Sequence, residues 1–193
     1  MKILVTSITL VILSYSSFAA LASKPDISWN YVSAGYAKAN IKNVINNTIK
    51  PDGYQINGSY LLSDTLYVAA SYTDLSGDIA FDDFSVRLGM RQAAAENLDA
   101  FFEGGYEQTK NKINGFESVT SNGFQAGAGF RYRATPMLEL AAAVRYSNGS
   151  DSSSATYGDL SARVKLTPVF DLYAGYQFDS DVSLLATGLV LNF

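Results

Sequence analysis

From Trp29 to Phe193 the chain alternates apolar side chains with small or polar ones, run after run, at a period of two. That period sends successive side chains to opposite faces of an extended strand, so each run has one greasy face. The final run, Leu184 to Phe193, sets Leu185, Thr187, Leu189, Leu191 and Phe193 against Leu184, Ala186, Gly188, Val190 and Asn192. A terminal aromatic strand with a bare edge is an aggregation hazard in water. A barrel closed in lipid removes the hazard, because its last strand pairs back with its first.

Ten such runs can be marked: Trp29 to Lys38, Gly53 to Leu61, Leu66 to Thr73, Phe84 to Arg91, Leu98 to Glu107, Phe124 to Arg133, Leu138 to Tyr146, Asp159 to Leu166, Asp171 to Phe178, and the last. Connections are long after the first, third, fifth and seventh runs and short after the second, fourth, sixth and eighth. Asn40 to Pro51, rich in Asn and Lys, reads as an exposed loop. Long loops on one side and tight turns on the other describe an all-β, antiparallel up-and-down transmembrane β-barrel. Ten strands are expected. The short Asp179 to Val182 connection, where a long loop is due, leaves eight open should two neighbouring runs be one bent strand. Pro25, Pro51, Pro136 and Pro168 all fall between runs, as a fully bonded barrel requires.

The amino terminus adds a destination. Lys2, the apolar stretch Ile3 to Leu13 and the Ala20-Leu21-Ala22 ending have the three parts of an export signal. Residues 1–22 are therefore expected to be cleaved, leaving 23–193 as a single barrel domain. Losing Lys2 takes the formal charge from −4 to −5. An acidic chain without a basic cluster speaks against nucleic acid as a partner. There is no Cys and no His, so thiolate chemistry, His-based triads and disulfide staples are out of reach.

Aromatic placement supports the barrel. Tyr36, Tyr72, Tyr106, Tyr146 and Tyr176 close the greasy phase of alternate runs at one level, as an interfacial girdle does, with ring bodies in lipid and hydroxyls wet. Tyr60, Phe130, Tyr132 and Phe193 fall at the opposite ends. The competing arrangement, a soluble sandwich, would bury these rings in its core.

The other phase carries Arg87, Arg91, Asp99, Glu103, Arg131, Glu139, Arg145, Asp159, Lys165 and Asp171, with both signs interleaved. In an antiparallel hairpin, facing residues share a constant sum of numbers. A sum of about 190 joins Arg87 to Glu103 and Arg91 to Asp99; about 304 joins Arg145 to Asp159 and Glu139 to Lys165; about 336 joins Lys165 to Asp171. A compensated ion-pair network inside the barrel is the expectation, since an unpaired charge away from water is costly. Inward glycines leave room for long side chains, so the lumen reads as a plug more than a pore.

Asp74 with Asp78, Asp82 with Asp83, and Asp179 with Asp181 lack the ligand density of a calcium loop and fit turn chemistry. No metal or cofactor is expected. Lys38, Lys42, Lys50, Lys110 and Lys112 lie on the external side, where they meet either lipopolysaccharide phosphates or solvent.

The Trp29-Asn-Tyr-Val-Ser-Ala-Gly-Tyr36 opening, the Asp52-Gly-Tyr-Gln-Ile-Asn-Gly-Ser-Tyr60 and Leu66-Tyr-Val-Ala-Ala-Ser-Tyr72 runs and the terminal Phe193 resemble the small OmpA/OmpX-type outer membrane barrels of Gram-negative bacteria. The resemblance covers the whole of 23–193. It implies outer membrane lipid as surroundings and the barrel-assembly machinery as a partner during biogenesis, reading Leu189, Leu191 and Phe193 as its signal. With no catalytic constellation in the chain and a charge-compensated interior, a non-enzymatic envelope protein acting through structure or external loops is expected, the alternative being a narrow porin for small solutes or ions. Oligomeric state is not legible.

Overall fold

The structure, a computed structural model, describes residues 27–44, 47–77, 79–113, 117–150 and 154–193. The expected signal, 1–22, lies outside the described residues. Eleven strands follow one another: β1 (Tyr31–Val44), β2 (Asn47–Ile49), β3 (Asp52–Leu61), β4 (Leu66–Ser76), β5 (Ile79–Ala95), β6 (Leu98–Ile113), β7 (Val119–Thr135), β8 (Leu138–Gly149), β9 (Ala155–Lys165), β10 (Phe170–Phe178) and β11 (Val182–Asn192). Each pairs antiparallel with its neighbour, and β11 returns to β1 along Tyr31↔Asn192 through Ile41↔Val182. The sheet is closed.

The ring has ten members because β2 and β3 occupy one place in it. Lys38 faces Asp52 and Ile41 faces Ile49 on a single register line, interrupted at Lys50-Pro51. Proline has no N–H to give a ladder, and its carbonyl still accepts from Ala39 N–H at 2.9 Å. Ten is therefore the strand number, and the short Asp179 to Asp181 link is a true external turn.

Two expectations about extent change. The stretch expected as a loop from Asn40 is mostly strand, since β1 runs to Val44 and β2 pairs with it. Likewise β5, β6 and β7 reach 17, 16 and 17 residues, so most of the supposed long loops are wall continued past the aromatic level. The ladder saturates backbone groups as well outside lipid as within it, so pairing has no reason to stop there. Conversely, Trp29 is not in the first strand.

The short turns carry a correction device. Turn Glu96-Asn97 closes with Ala95 opposite Leu98, a pairing that would set inward residues of β5 against outward ones of β6. A bulge between Ala93 and Ala95 absorbs one residue and restores the match, and a second bulge between Arg133 and Thr135 does the same for β7 and β8. With faces aligned, the apolar phase lies outside. The eight steps from Leu138 to Tyr146, at about 3.3 Å each and a tilt near 40°, climb roughly 20 Å, of the order of a membrane barrel's apolar band.

The interior is not uniform. Along the β1–β11 seam it is apolar, with Ala37, Ala39, Ala186 and Val190 packed against Leu75 and Tyr173. A second cluster, Ile27, Trp29, Tyr67, Ala69 and Phe101, fills the end on the short-turn side.

Candidate functional site: a charged lumen crossed by the amino-terminal lead

Midway along the lumen one carboxylate serves two guanidiniums. Glu103, on the inward phase of β6, lies 3.2 Å from Arg87 Nε and 3.1 Å from Arg145 Nη2. Tyr67 donates its hydroxyl to the other Glu103 oxygen at 2.9 Å. Arg145 Nε also approaches Asp159 at 3.7 Å. Arg87 donates to Ser71 and Gln125, each at 3.2 Å, and to Ser85. Such sharing is what lets several charges sit away from bulk water.

Nearer the short-turn end a second group forms around Trp29. Its indole N–H donates to Asp99 Oδ2 at 2.7 Å, and the same oxygen is 3.3 Å from Arg91 Nη1. The ring lies against Tyr67 with centroids 4.5 Å apart and edge-on to Phe101 at 5.8 Å. Arg131 stands over the indole at 4.5 Å, donates to the Ser28 carbonyl at 2.9 Å and reaches Glu139 at 2.6 Å. Beside it Arg163 covers the Tyr31 ring at 3.8 Å.

Towards the external mouth the carboxylates Asp83 and Glu107 are met by amides and hydroxyls. Thr109 donates to Asp83 at 3.2 Å, Ser147 donates to Glu107, and Gln125 donates to the Tyr157 hydroxyl. A cavity of about 180 Å³ remains in the lumen, with Trp29, Tyr67, Arg87, Glu103, Arg145 and Tyr157 among its lining.

The structure places all ten expected lumen residues on the inward phase, but its registers differ from the expected sums. β5 and β6 pair on 192, with Arg87 opposite Gly105 and Gly89 opposite Glu103. β8 and β9 pair on 302, with Arg145 opposite Tyr157 and Glu139 opposite Arg163. A slip of two keeps every side chain on its face, and Arg87–Glu103, Arg91–Asp99 and Arg145–Asp159 meet on the diagonal, which long side chains can span. Glu139 turns to Arg131 and not to Lys165. Lys165 does stand opposite Asp171, but the Asp171 carboxylate takes the Asn192 amide at 2.9 Å.

On the outer face Tyr36, Tyr106, Tyr146 and Tyr176 are exposed and Tyr72 half-buried, while Leu189, Leu191 and Phe193 point outward at the seam. Tyr36 donates to Asp52 at 3.0 Å, and Phe193 stacks near Tyr60 with centroids 6.5 Å apart. Lys38, Lys42, Lys50, Lys110 and Lys112 are exposed on the external side. At the β10–β11 turn Asp179 accepts the Asp181 and Val182 N–H groups at 2.7 and 2.6 Å, so its carboxylate serves the turn. Among the described residues no three acidic side chains converge as a metal cluster.

Trp29, Tyr67 and Gln125 join the lumen group beyond the ten residues expected from the sequence. A signal was present: Trp29 is in phase with inward Tyr31, and a large aromatic on a polar phase needs space inside.

A closed ring with an apolar exterior and a polar, ion-paired interior defines a membrane-spanning β-barrel. The family model for the outer membrane protein β-barrel domain matches residues 8–178, and the chain belongs to that family, proteins of the Gram-negative outer membrane. No curated protein matches it. Similar solved structures include Ail, the attachment invasion locus protein of Yersinia pestis, at 19% identity over 86% of this chain and 100% of that one, with a TM-score of 0.45. Another is the amino-terminal barrel of Pseudomonas aeruginosa OprF, at 14% identity over 86% and 100%, with a TM-score of 0.46. Neisserial surface protein A has 16% identity over 86% and 98%, with a TM-score of 0.45.

Proposed function

We propose that this protein is a closed, non-enzymatic barrel that serves the envelope through its wall and external rim and not by passing solutes. The observation that carries the reading is the sharing of Glu103 between Arg87 and Arg145 across the lumen, with the Trp29 group as a second barrier in series. A chain without His or Cys has no thiolate and no His-based triad to offer. Its surroundings are outer membrane lipid, with the five tyrosines Tyr36, Tyr72, Tyr106, Tyr146 and Tyr176 as external girdle. Just beyond that girdle, outward Lys38, Lys42, Lys110 and Lys112 stand where lipopolysaccharide phosphates would meet them. Leu189, Leu191 and Phe193 form the signal for the barrel-assembly machinery, and maturation removes residues 1–22.

Single-channel recording in planar bilayers tests the closed lumen. The native barrel is expected to show no discrete openings. Reproducible open steps that change size or frequency in Glu103→Ala or Arg87→Ala would establish the narrow porin instead.

A further inference from the structure

We infer that Ile27–Trp29 is a latch, docking across the lumen after β1 has met β11 and locking the closing seam from inside. The inference stands on the closed ring and does not depend on whether the lumen conducts.

The lead leaves the wall at Asn30, and Asn30 holds both neighbours of β1. Its carbonyl accepts the N–H of Phe193 at 3.1 Å, the last rung of the seam, and its side-chain oxygen accepts the N–H of Leu61 at 2.8 Å. The chain then turns inward, and Ile27 and Trp29 are 5% and 4% exposed. Tyr67, on β4, is two places from β1 in the ring, but Asp99, Phe101 and Arg131 lie far around it. Counting through β3, β4 and β5 leads to β6, which carries Asp99 and Phe101; counting the other way through β11, β10, β9 and β8 leads to β7, which carries Arg131. Both are on the opposite wall.

A latch and ordinary core packing differ in when the receptor exists. Asp99, Phe101, Tyr67 and Arg131 come from three strands, β4, β6 and β7, and surround the indole only when the sheet has curled. Pairing with β11 fixes β1 opposite β6 and β7, which carry Asp99, Phe101 and Arg131. In an open sheet the lead has neither the Asp99 acceptor nor the Arg131 cover, so those two contacts count towards the closed form. The link also reaches the mid-lumen cluster, because Tyr67 packs against Trp29 and donates to Glu103.

Trp29 is the only tryptophan, so its fluorescence reports on the latch by itself. The protein is purified from outer membranes in detergent and reconstituted in vesicles, with iodide as quencher. Trp29 is expected to be shielded in the folded barrel and to become accessible, with a several-fold larger quenching constant, at the temperature where the compact electrophoretic form is lost. During refolding from urea into vesicles, the β-sheet circular dichroism signal is expected before full shielding. Trp29→Ala is expected to lose the compact form at a temperature lower by about 10 °C or more, with Trp29→Phe in between. Iodide access in the folded native barrel, shielding that precedes β-sheet formation, or native heat resistance in Trp29→Ala each overturns the latch.

Discussion

Arg87 and Leu88 are consecutive in β5 and point to opposite sides of one wall; the first is 7% exposed and the second 57%. Leu88 belongs to a face whose energetics are set residue by residue, since each outward side chain needs only to be apolar for lipid to accept it. Arg87 belongs to a face where position decides, because its charge is tolerated through Glu103, Ser71 and Gln125 together. The outer face therefore tolerates exchange among apolar residues, while the lumen is sensitive to the loss of a single partner.

The largest effect is expected inside. Glu103→Ala leaves Arg87 and Arg145 without their shared carboxylate and frees the Tyr67 hydroxyl, which should destabilise the barrel by about 3–5 kcal/mol, the cost typical of breaking a buried ion pair. Urea titration in lipid vesicles measures it. A loss below about 1 kcal/mol would mean that water solvates the lumen charges and that the contrast between the faces is weaker than drawn.

Outside, Leu88→Arg is the corresponding challenge. Leu88 lies midway along the outward phase between Phe84 at the external aromatic level and Gln92 near the short turn, so it samples the depth of the bilayer. A cost of about 2–4 kcal/mol is expected there, falling to about 0–1 kcal/mol for Gln92→Arg. Equal costs at the two positions would contradict the outward placement. Leu88→Val or Leu88→Ile, by contrast, should be nearly silent, which no exchange at Glu103 would be.

The contrast also explains which parts of the molecule could be read from the chain. Alternation is repeated in every strand and each repeat is independent evidence, so the faces, the closed barrel and the ten inward charges Arg87 through Asp171 were legible. Register was not. In β5–β6 it is set by the turn together with the bulge at Ala93/Ala95, and in β8–β9 it runs on 302 with no bulge at all; a slip of two leaves the alternation unchanged in both hairpins. The expected partners Arg87–Glu103, Arg91–Asp99 and Arg145–Asp159 meet despite the slip because parity was preserved, whereas Glu139 met Arg131 because β7 offered a closer diagonal than Lys165. The buried lead was hidden for a different reason. Its partners lie across the ring, 70 residues away in the case of Asp99, and no local pattern encodes that distance.

A smaller effect separates positions within the lumen itself. Gly89 and Gly175 are both inward, yet a Cβ at Gly89 would come within 2.2 Å of the Tyr67 ring, while at Gly175 the nearest atom is 3.9 Å away. Tyr67 cannot swing aside freely, since it is 1% exposed, packed against Trp29 and bonded to Glu103. Gly89→Ala should therefore cost about 1–3 kcal/mol, in the range of overpacked cores, whereas Gly175→Ala should stay within about 0.5 kcal/mol of native. Thermal loss of the compact electrophoretic form ranks the two. If Gly89→Ala also raises iodide access to Trp29 while Gly175→Ala does not, the strain is passing through Tyr67 to the lead. If both variants behave alike, the lumen adapts around single methyl groups, and the distinction between a tolerant outer face and an exacting inner one narrows to its charges.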